Sequence, residues 1–166
     1  MGDGTAPRLR RRGTRHDRRR GIALTTATGR RQHPHRDRGG HVIVNPQLAS
    51  LLARFRHANA IAILDGPFPS YPDVETIELI LAPGIPTIPQ VVDVILAEHE
   101  VSSVVMAKEF QQVVDAPTQA DYLSHLGDLP VEWIDHVDFK KMVGTCLGIV
   151  HTGDPVPYSN VILRWG

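Results

Sequence analysis

From residue 41 to the end, short apolar runs alternate with segments whose apolar residues fall at helical spacing, and few folds accommodate that pattern. "AIAIL" (60–64), "VSSVVMAKEF" (101–110), "VEWI" (131–134), "CLGIVHTG" (146–153) and "NVILRW" (160–165) read as strands. Several are apolar throughout, as strands buried on both faces are. In "NPQLASLLARFRH", Asn45 is a good N-cap and Pro46 takes the favoured first helical position. Leu48, Leu51, Leu52 and Phe55 follow at i, i+3, i+4 and i+7, one face of a helix. "IPQVVDVILAEHE" repeats the spacing with Ile88, Val91, Val92, Ile95 and Leu96. "APTQADYLSHLGDL" has Pro117 near its start and Gly127 near its end, and "DHVDFKKMVG" has Asp135 as candidate cap. "VIV" (42–44) is a short apolar run, "VETIELIL" alternates in part before the turn signal "APGIP", and "DGPFPSYP" must be a loop. Strands alternating with helices predict a single three-layer α/β/α domain over residues 41–166, with a central, mostly parallel sheet.

The preceding segment is of another kind. The chain has 166 residues with 18 Lys+Arg and 18 Asp+Glu; the first 40 hold 12 Arg and 3 Asp, a net +9, which leaves 6 basic and 15 acidic residues and a net −9 for the rest. A basic tail is joined to an acidic body. The tail has almost no large apolar residues and no periodicity, so disorder is expected. Three readings remain open for it: a nucleic-acid or anionic-surface arm, a plain solvated tail, or upstream sequence read through from a start placed too early. The abundance of Arg without Lys and the abrupt onset of folded-looking sequence favour the last. Nucleic acid is not an expected partner, because the acidic body offers no basic docking surface.

Other classes drop out on composition. No apolar run approaches the ~20 residues that cross a bilayer, and the Arg-rich start lacks the apolar stretch of a signal peptide; a cytoplasmic protein is expected. One cysteine, Cys146, rules out an internal disulfide and reads as a packed thiol. There is no dinucleotide fingerprint, phosphate loop, nucleophile elbow or paired-cysteine zinc motif. His99, His125 and His151 fit no metal-ligand spacing, so no metal is expected.

What is left is polar residues at element ends. His57 closes the first helix, where it either interacts with the helix dipole or does chemistry. Asp65 follows a strand directly, a common place for ligand contacts in α/β folds and for local turn bonds alike. His136 stands beside a cap. Tyr158 and Asn160 are two apart before the last apolar run, on one side of the chain if the backbone there is extended. These residues alone leave both kinds of reading open.

Laid end to end, Val42–Gly166 resembles the D-ribose pyranase and L-fucose mutarotase family. "NPQLASLLARFRH" resembles its opening helix with a histidine, "AIAILDGPFP" its strand followed by Asp-x-x-apolar-Pro, and "IDHVDFKKM" the segment with a binding histidine. "TIELILAPGIP" is similar to the Arg-Ile-Asp-apolar-Ala-Leu-Thr-x-Gly-Val-Pro segment of the pyranase branch. "GDPVPYSNVIL" is similar to Gly-Glu-x-x-Pro-Tyr-Ala-Asn-apolar-Ile-Leu. The resemblance implies a cofactor-independent isomerase that interconverts ring forms of ribose or a related sugar, with His57 as catalytic acid/base and Asp65, His136, Tyr158, Ser159 and Asn160 as sugar contacts. It also implies sites at subunit contacts in a homo-oligomer, a decamer. The chain departs from the pattern at Arg56, usually glycine, at Asn59, usually aspartate, and at Thr76, where the pyranase branch tends to have arginine. These departures motivate an alternative, a monosaccharide-binding protein without catalysis.

Overall fold

The computed structural model describes residues 42–166. The expectations for residues 1–40 lie outside the described residues. Eleven elements follow in chain order: α1 (Pro46–Ala53), β1 (Asn59–Leu64), β2 (Thr76–Glu78), α2 (Ile88–Glu98), β3 (Ser103–Ala107), α3 (Glu109–Val113), α4 (Ala116–Leu126), β4 (Val131–Ile134), α5 (His136–Val143), β5 (Gly148–His151) and β6 (Val161–Trp165). The helices start where the chain supplies caps. Asn45 accepts from the Leu48 amide, Thr87 and Gln90 form a reciprocal capping box, and Asp115 accepts from Thr118, each with proline in the first turn.

The six strands lie in the order β2-β5-β1-β6-β3-β4. β5 is parallel to both β1 and β2, and β3 is parallel to β4, whereas β6 is antiparallel to β1 and β3. Five strands therefore point one way, as a mostly parallel sheet requires, and the terminal strand is reversed. The reason is its connection. A parallel neighbour needs a crossover, but the chain leaves β5 and returns through the turn 152–160 without a helix.

The two faces are covered unequally. On one, Leu48, Leu51 and Leu52 of α1, the apolar stripe of α2, Phe110 and Leu126 pack on Ile61, Ile63, Val104, Met106, Val150, Val161 and Leu163. On the other, Phe139 and Val143 of α5 join Phe68, Cys146, Ala62, Leu64, Val105, Ile149 and Ile162. The predicted helical face of Leu48, Leu51, Leu52 and Phe55 is buried throughout, at 4% exposure or less, each such side chain contributing about 1.5–3 kcal/mol. Burial pushes the Cys146 thiol up to about 12, leaving it a packed, unreactive group.

The apolar run "VIV" lies outside regular structure, with Val42 and Val44 exposed. Three local expectations change. "VETIELIL" contributes only the three residues of β2, because Ile80 and Leu81 turn outward into a hairpin closed by an Ala82–Ile85 bridge. "VSSVVMAKEF" is a strand only as far as Ala107, after which α3 begins. Helix α1 ends at Ala53 with Arg54 as C-cap, so His57 lies in the turn after it rather than closing it.

The 82–85 hairpin leans on the turn that follows β5. Gly153 donates to the Pro86 carbonyl at 2.9 Å, and a Cβ at Gly153 would meet the Ala82 and Ile85 carbonyls, the latter at 2.6 Å. Both obstructions are backbone. Gly153→Ala is expected to cost about 1–3 kcal/mol through overpacking, read as a melting temperature several degrees lower. An unchanged melting temperature would show that the hairpin yields.

Candidate functional site

All the parallel strands end at one edge of the sheet, and the polar residues gather there. Asp65 follows β1, Thr152 follows β5, Lys108 and Glu109 follow β3, and Asp135 and His136 follow β4. Beyond the carboxyl ends of strands is where open α/β sheets place ligands. The reversed strand brings in the remaining groups, because β6 starts at this edge, opposite Ile63.

Asp65 and Asn160 are locked together. The Asp65 amide donates to Asn160 Oδ1 at 2.7 Å, and Asn160 Nδ2 donates to Asp65 Oδ2 at 3.0 Å. Both residues are buried. The Asp65 carboxyl is held above the usual carboxylate range, by burial first; Asp154 adds to the rise, while the Asn160 hydrogen bond and His151 oppose it.

His136 opens α5. The cap expected from Asp135 makes no side-chain hydrogen bond. Glu109 serves instead, both its carboxylate oxygens accepting from the His136 amide at 3.1 Å. Around the imidazole stand Tyr158, edge-on at 4.9 Å, Phe68, edge-on at 5.8 Å, and Phe139, stacked at 6.2 Å. Its Nδ1 is buried with no hydrogen-bond partner among the described residues. Burial, then the Lys140 charge, hold this histidine below its usual range against the pull of Glu109, which favours a neutral ring able to accept or donate one hydrogen bond.

The turn from Gly153 to Asn160 is not an extended segment. Tyr158 has φ 60°, in the left-handed region, so the pair at 158 and 160 is not displayed by strand alternation. The turn aims Tyr158 at His136 and Asn160 at Asp65. Ser159 is fully buried, donates to the Val156 carbonyl at 2.8 Å, and lines a small gap with Ile88, Met106, Tyr122 and Val161. Within this chain it supports the turn.

His57 is not part of the cluster. It is exposed in the turn before β1, whereas Asp65 comes just after the same strand. The strand alone separates them by roughly 17 Å, at about 3.3 Å per residue. Asn59 is occupied there by the backbone: its Oδ1 accepts from the Arg56 amide at 3.0 Å, while its own amide donates to the Arg56 carbonyl. It shapes the turn, a task an aspartate could share.

Residue reading passed over several participants. Asp154, 1% exposed, accepts from the Ile88 amide, the Tyr122 hydroxyl and the Val156 amide, tying the turn to the N-terminus of α2 and to α4. The proximity of the carboxylate and burial raise the Tyr122 hydroxyl above its usual range, burial first. Phe68, Glu109 and the His151–Glu78 pair were missed too. Only Asp154, inside "GDPVPYSN", had a local signal. Among the described residues no group of three His, Cys, Asp or Glu is placed to hold a metal ion. The edge thus offers a buried carboxylate, an amide, an uncharged imidazole and aromatic faces, a set suited to a small neutral molecule with hydroxyls and apolar faces.

Comparison with known proteins follows the same lines. A model of the RbsD / FucU transport protein family matches residues 38–166. A D-ribose pyranase of Clostridium novyi is 31% identical over 124 residues, 75% of this chain and 94% of that one. A D-ribose pyranase of Symbiobacterium thermophilum is 36% identical over a matching 124 residues. The structure of Bacillus subtilis RbsD complexed with D-ribose superposes with a TM-score of 0.69 at 31% identity, covering 76% of this chain and 95% of that chain. A fucose mutarotase from Streptococcus pneumoniae in complex with L-fucose shares the fold, with a TM-score of 0.59 at 23% identity, covering 74% of this chain and 93% of that one.

Asp65→Asn tests the electrostatics of the cluster. The folded state holds the Asp65 proton more tightly than the unfolded chain, so stability falls as pH rises from the ordinary aspartate range through the higher range of the folded carboxyl. Above both ranges a constant penalty remains. Asparagine keeps an oxygen for Asn160 and removes the penalty. Its melting temperature is expected to equal or exceed wild type at neutral pH, with the advantage shrinking as pH falls through the Asp65 range.

Proposed function

The chain belongs to the RbsD / FucU family, and from that premise we propose that it is a cofactor-independent isomerase interconverting pyranose and furanose forms, or anomers, of D-ribose or a related monosaccharide. The observation that carries this reading is the convergence of Asp65, Asn160, His136 and Tyr158 on one edge of the sheet, together with the ribose complex of a relative of the same fold.

The reaction needs proton transfer and positioning. A base removes the anomeric hydroxyl proton, an acid protonates the ring oxygen, and the ring opens to the aldehyde. Reclosure by a different hydroxyl gives the other ring size, and reclosure after rotation about C1–C2 gives the other anomer. Asp65 accepts from sugar hydroxyls, Asn160 holds that carboxylate in place, and His136 and Tyr158 offer a hydrogen-bonding ring and an aromatic face. Histidine suits the transfer itself, since its ordinary pKa near 6.5 lets it give and take a proton near neutrality.

His57 is the proposed acid/base, and its position calls for a second copy of the chain. A residue at the opposite end of β1 reaches an Asp65-centred site only from a neighbouring subunit, which supports a homo-oligomer, in decameric form as the resemblance implies. Ile80, Leu81 and Ile85, exposed by 46%, 81% and 52% on the hairpin against the Gly153 turn, supply an apolar contact beside the site. Among the described residues no helix is long and apolar enough to cross a membrane. A cytoplasmic location is part of the same proposal, consistent with a lone reduced cysteine.

NMR exchange spectroscopy on ribose and a panel of aldoses tests the reading. Wild type should accelerate pyranose–furanose exchange, and His57→Ala should lose roughly 10²–10⁴-fold. Mixed oligomers of His57→Ala and Asp65→Asn chains should regain part of the activity that neither variant has alone. No recovery would place His57 and Asp65 outside a shared intersubunit site. Sugar binding without faster exchange would favour the second reading, a binding protein, to which the separation of His57 from the cluster also lends support.

A further inference from the structure

We propose that Tyr122 is a positioning residue of the sugar site: it fixes Asp154, and Asp154 fixes the turn that sets the Tyr158 ring on His136. This role rests on the sugar-site reading of the carboxyl edge and extends it to a helix residue that neither the motifs nor the resemblance singles out.

Tyr122 lies in α4, and its hydroxyl donates to both oxygens of Asp154, at 2.9 Å each. The same carboxylate accepts from the Ile88 amide at the start of α2, at 2.8 Å to Oδ2, and from the Val156 amide inside the turn, at 2.9 Å to Oδ1. Asp154 also joins the two walls of the site through its backbone, its carbonyl accepting from Gly66, the residue after Asp65. Among the donors to the carboxylate, only the Tyr122 hydroxyl belongs to a side chain. It bridges the two oxygens, so it holds the plane in which they meet the two amides. Burial first, and then the carboxylate, raise the Tyr122 hydroxyl above its usual range, so it stays a donor throughout the neutral range.

The turn needs this support because of Tyr158. Its φ of 60° is left-handed, an outlier for a bulky residue, and such backbone persists only where its surroundings over-determine it. The bonds that do so run in series. Val156 gives its amide to Asp154, and its carbonyl accepts from the Ser159 hydroxyl at 2.8 Å. Tyr158 thus lies inside a loop closed between Val156 and Ser159, and its ring comes edge-on to His136 at 4.9 Å. The Tyr122 hydroxyl is taken up by Asp154 and is no sugar contact itself. Losing it loosens the turn that carries Tyr158, whereas the bonds between Asp65 and Asn160 do not pass through it. The consequence falls on sugar binding rather than on proton transfer.

Tyr122→Phe removes the hydroxyl and keeps the ring. A crystal structure of the full-length variant should show Tyr158 moved off His136 while the Asp65–Asn160 bonds persist. In aldose exchange the KM for D-ribose should rise roughly 3–10-fold, the worth of one hydrogen bond, with kcat nearly unchanged. Val104→Ala, a truncation of a fully buried residue in β3 that makes none of these bonds, controls for stability alone. It should lower the melting temperature without raising KM. In a Tyr158→Ala background, Tyr122→Phe should weaken D-ribose binding no further by calorimetry. An unmoved Tyr158 ring, an unchanged KM, a KM that rises as much in Val104→Ala, or a loss that adds in full to that of Tyr158→Ala overturns the proposal. If wild type neither binds D-ribose nor accelerates aldose exchange, the sugar-site reading fails, and the crystal structure still decides whether Tyr122 sets the Tyr158 ring.

Discussion

The reciprocal bonding of Asp65 with Asn160 joins the end of β1 to the start of β6, and most of the site depends on that junction. It satisfies a backbone amide, a carboxylate oxygen and both ends of a side-chain amide in a place with little water. Without it, the reversed strand would begin with unpartnered polar groups in the core, each costing about 1–3 kcal/mol. With it, β6 is seated between β1 and β3, and the turn before it is pulled across the carboxyl edge.

That turn is braced from its other side by Asp154, which collects the Ile88 and Val156 amides and the Tyr122 hydroxyl. A carboxylate at the N-terminus of α2 is favoured by the helix dipole, so two buried acids can stand at one edge when each has its own set of donors. Between them, the left-handed backbone at Tyr158 turns its ring onto His136. The polar groups of the cluster are thus held by bonds between elements distant in sequence.

Much of the fold was legible in the residues. Asn45-Pro46, the Leu48–Phe55 face and the apolar run of β1 each combined a local propensity with a period, and local signals of that kind survive folding. The extent of β2 was not legible, because Ile80 and Leu81 look like core residues and are turned outward by the hairpin. Asp135 takes the N-cap position of α5 as its chemistry suggests, but its side chain caps no amide; the His136 amide is satisfied instead by Glu109, which arrives from another element and left no local signal. His151 carried no signal at all, since a histidine ending an apolar run is common and its meaning lies in a neighbour 73 residues away.

The sequence by itself determined the class of the domain, the helices α1, α2 and α4 with their capping residues, and the polar groups that stand at element ends. Periodicity, turn residues and capping are local, and they were enough for that. Only the tertiary structure decided which groups meet. It placed Asp65, Asn160, His136 and Tyr158 on one edge and left His57 at the far end of β1, because strand direction assigns every residue to one end of the sheet or the other. Strand direction follows from how the chain is connected and packed, and no stretch of residues records it alone.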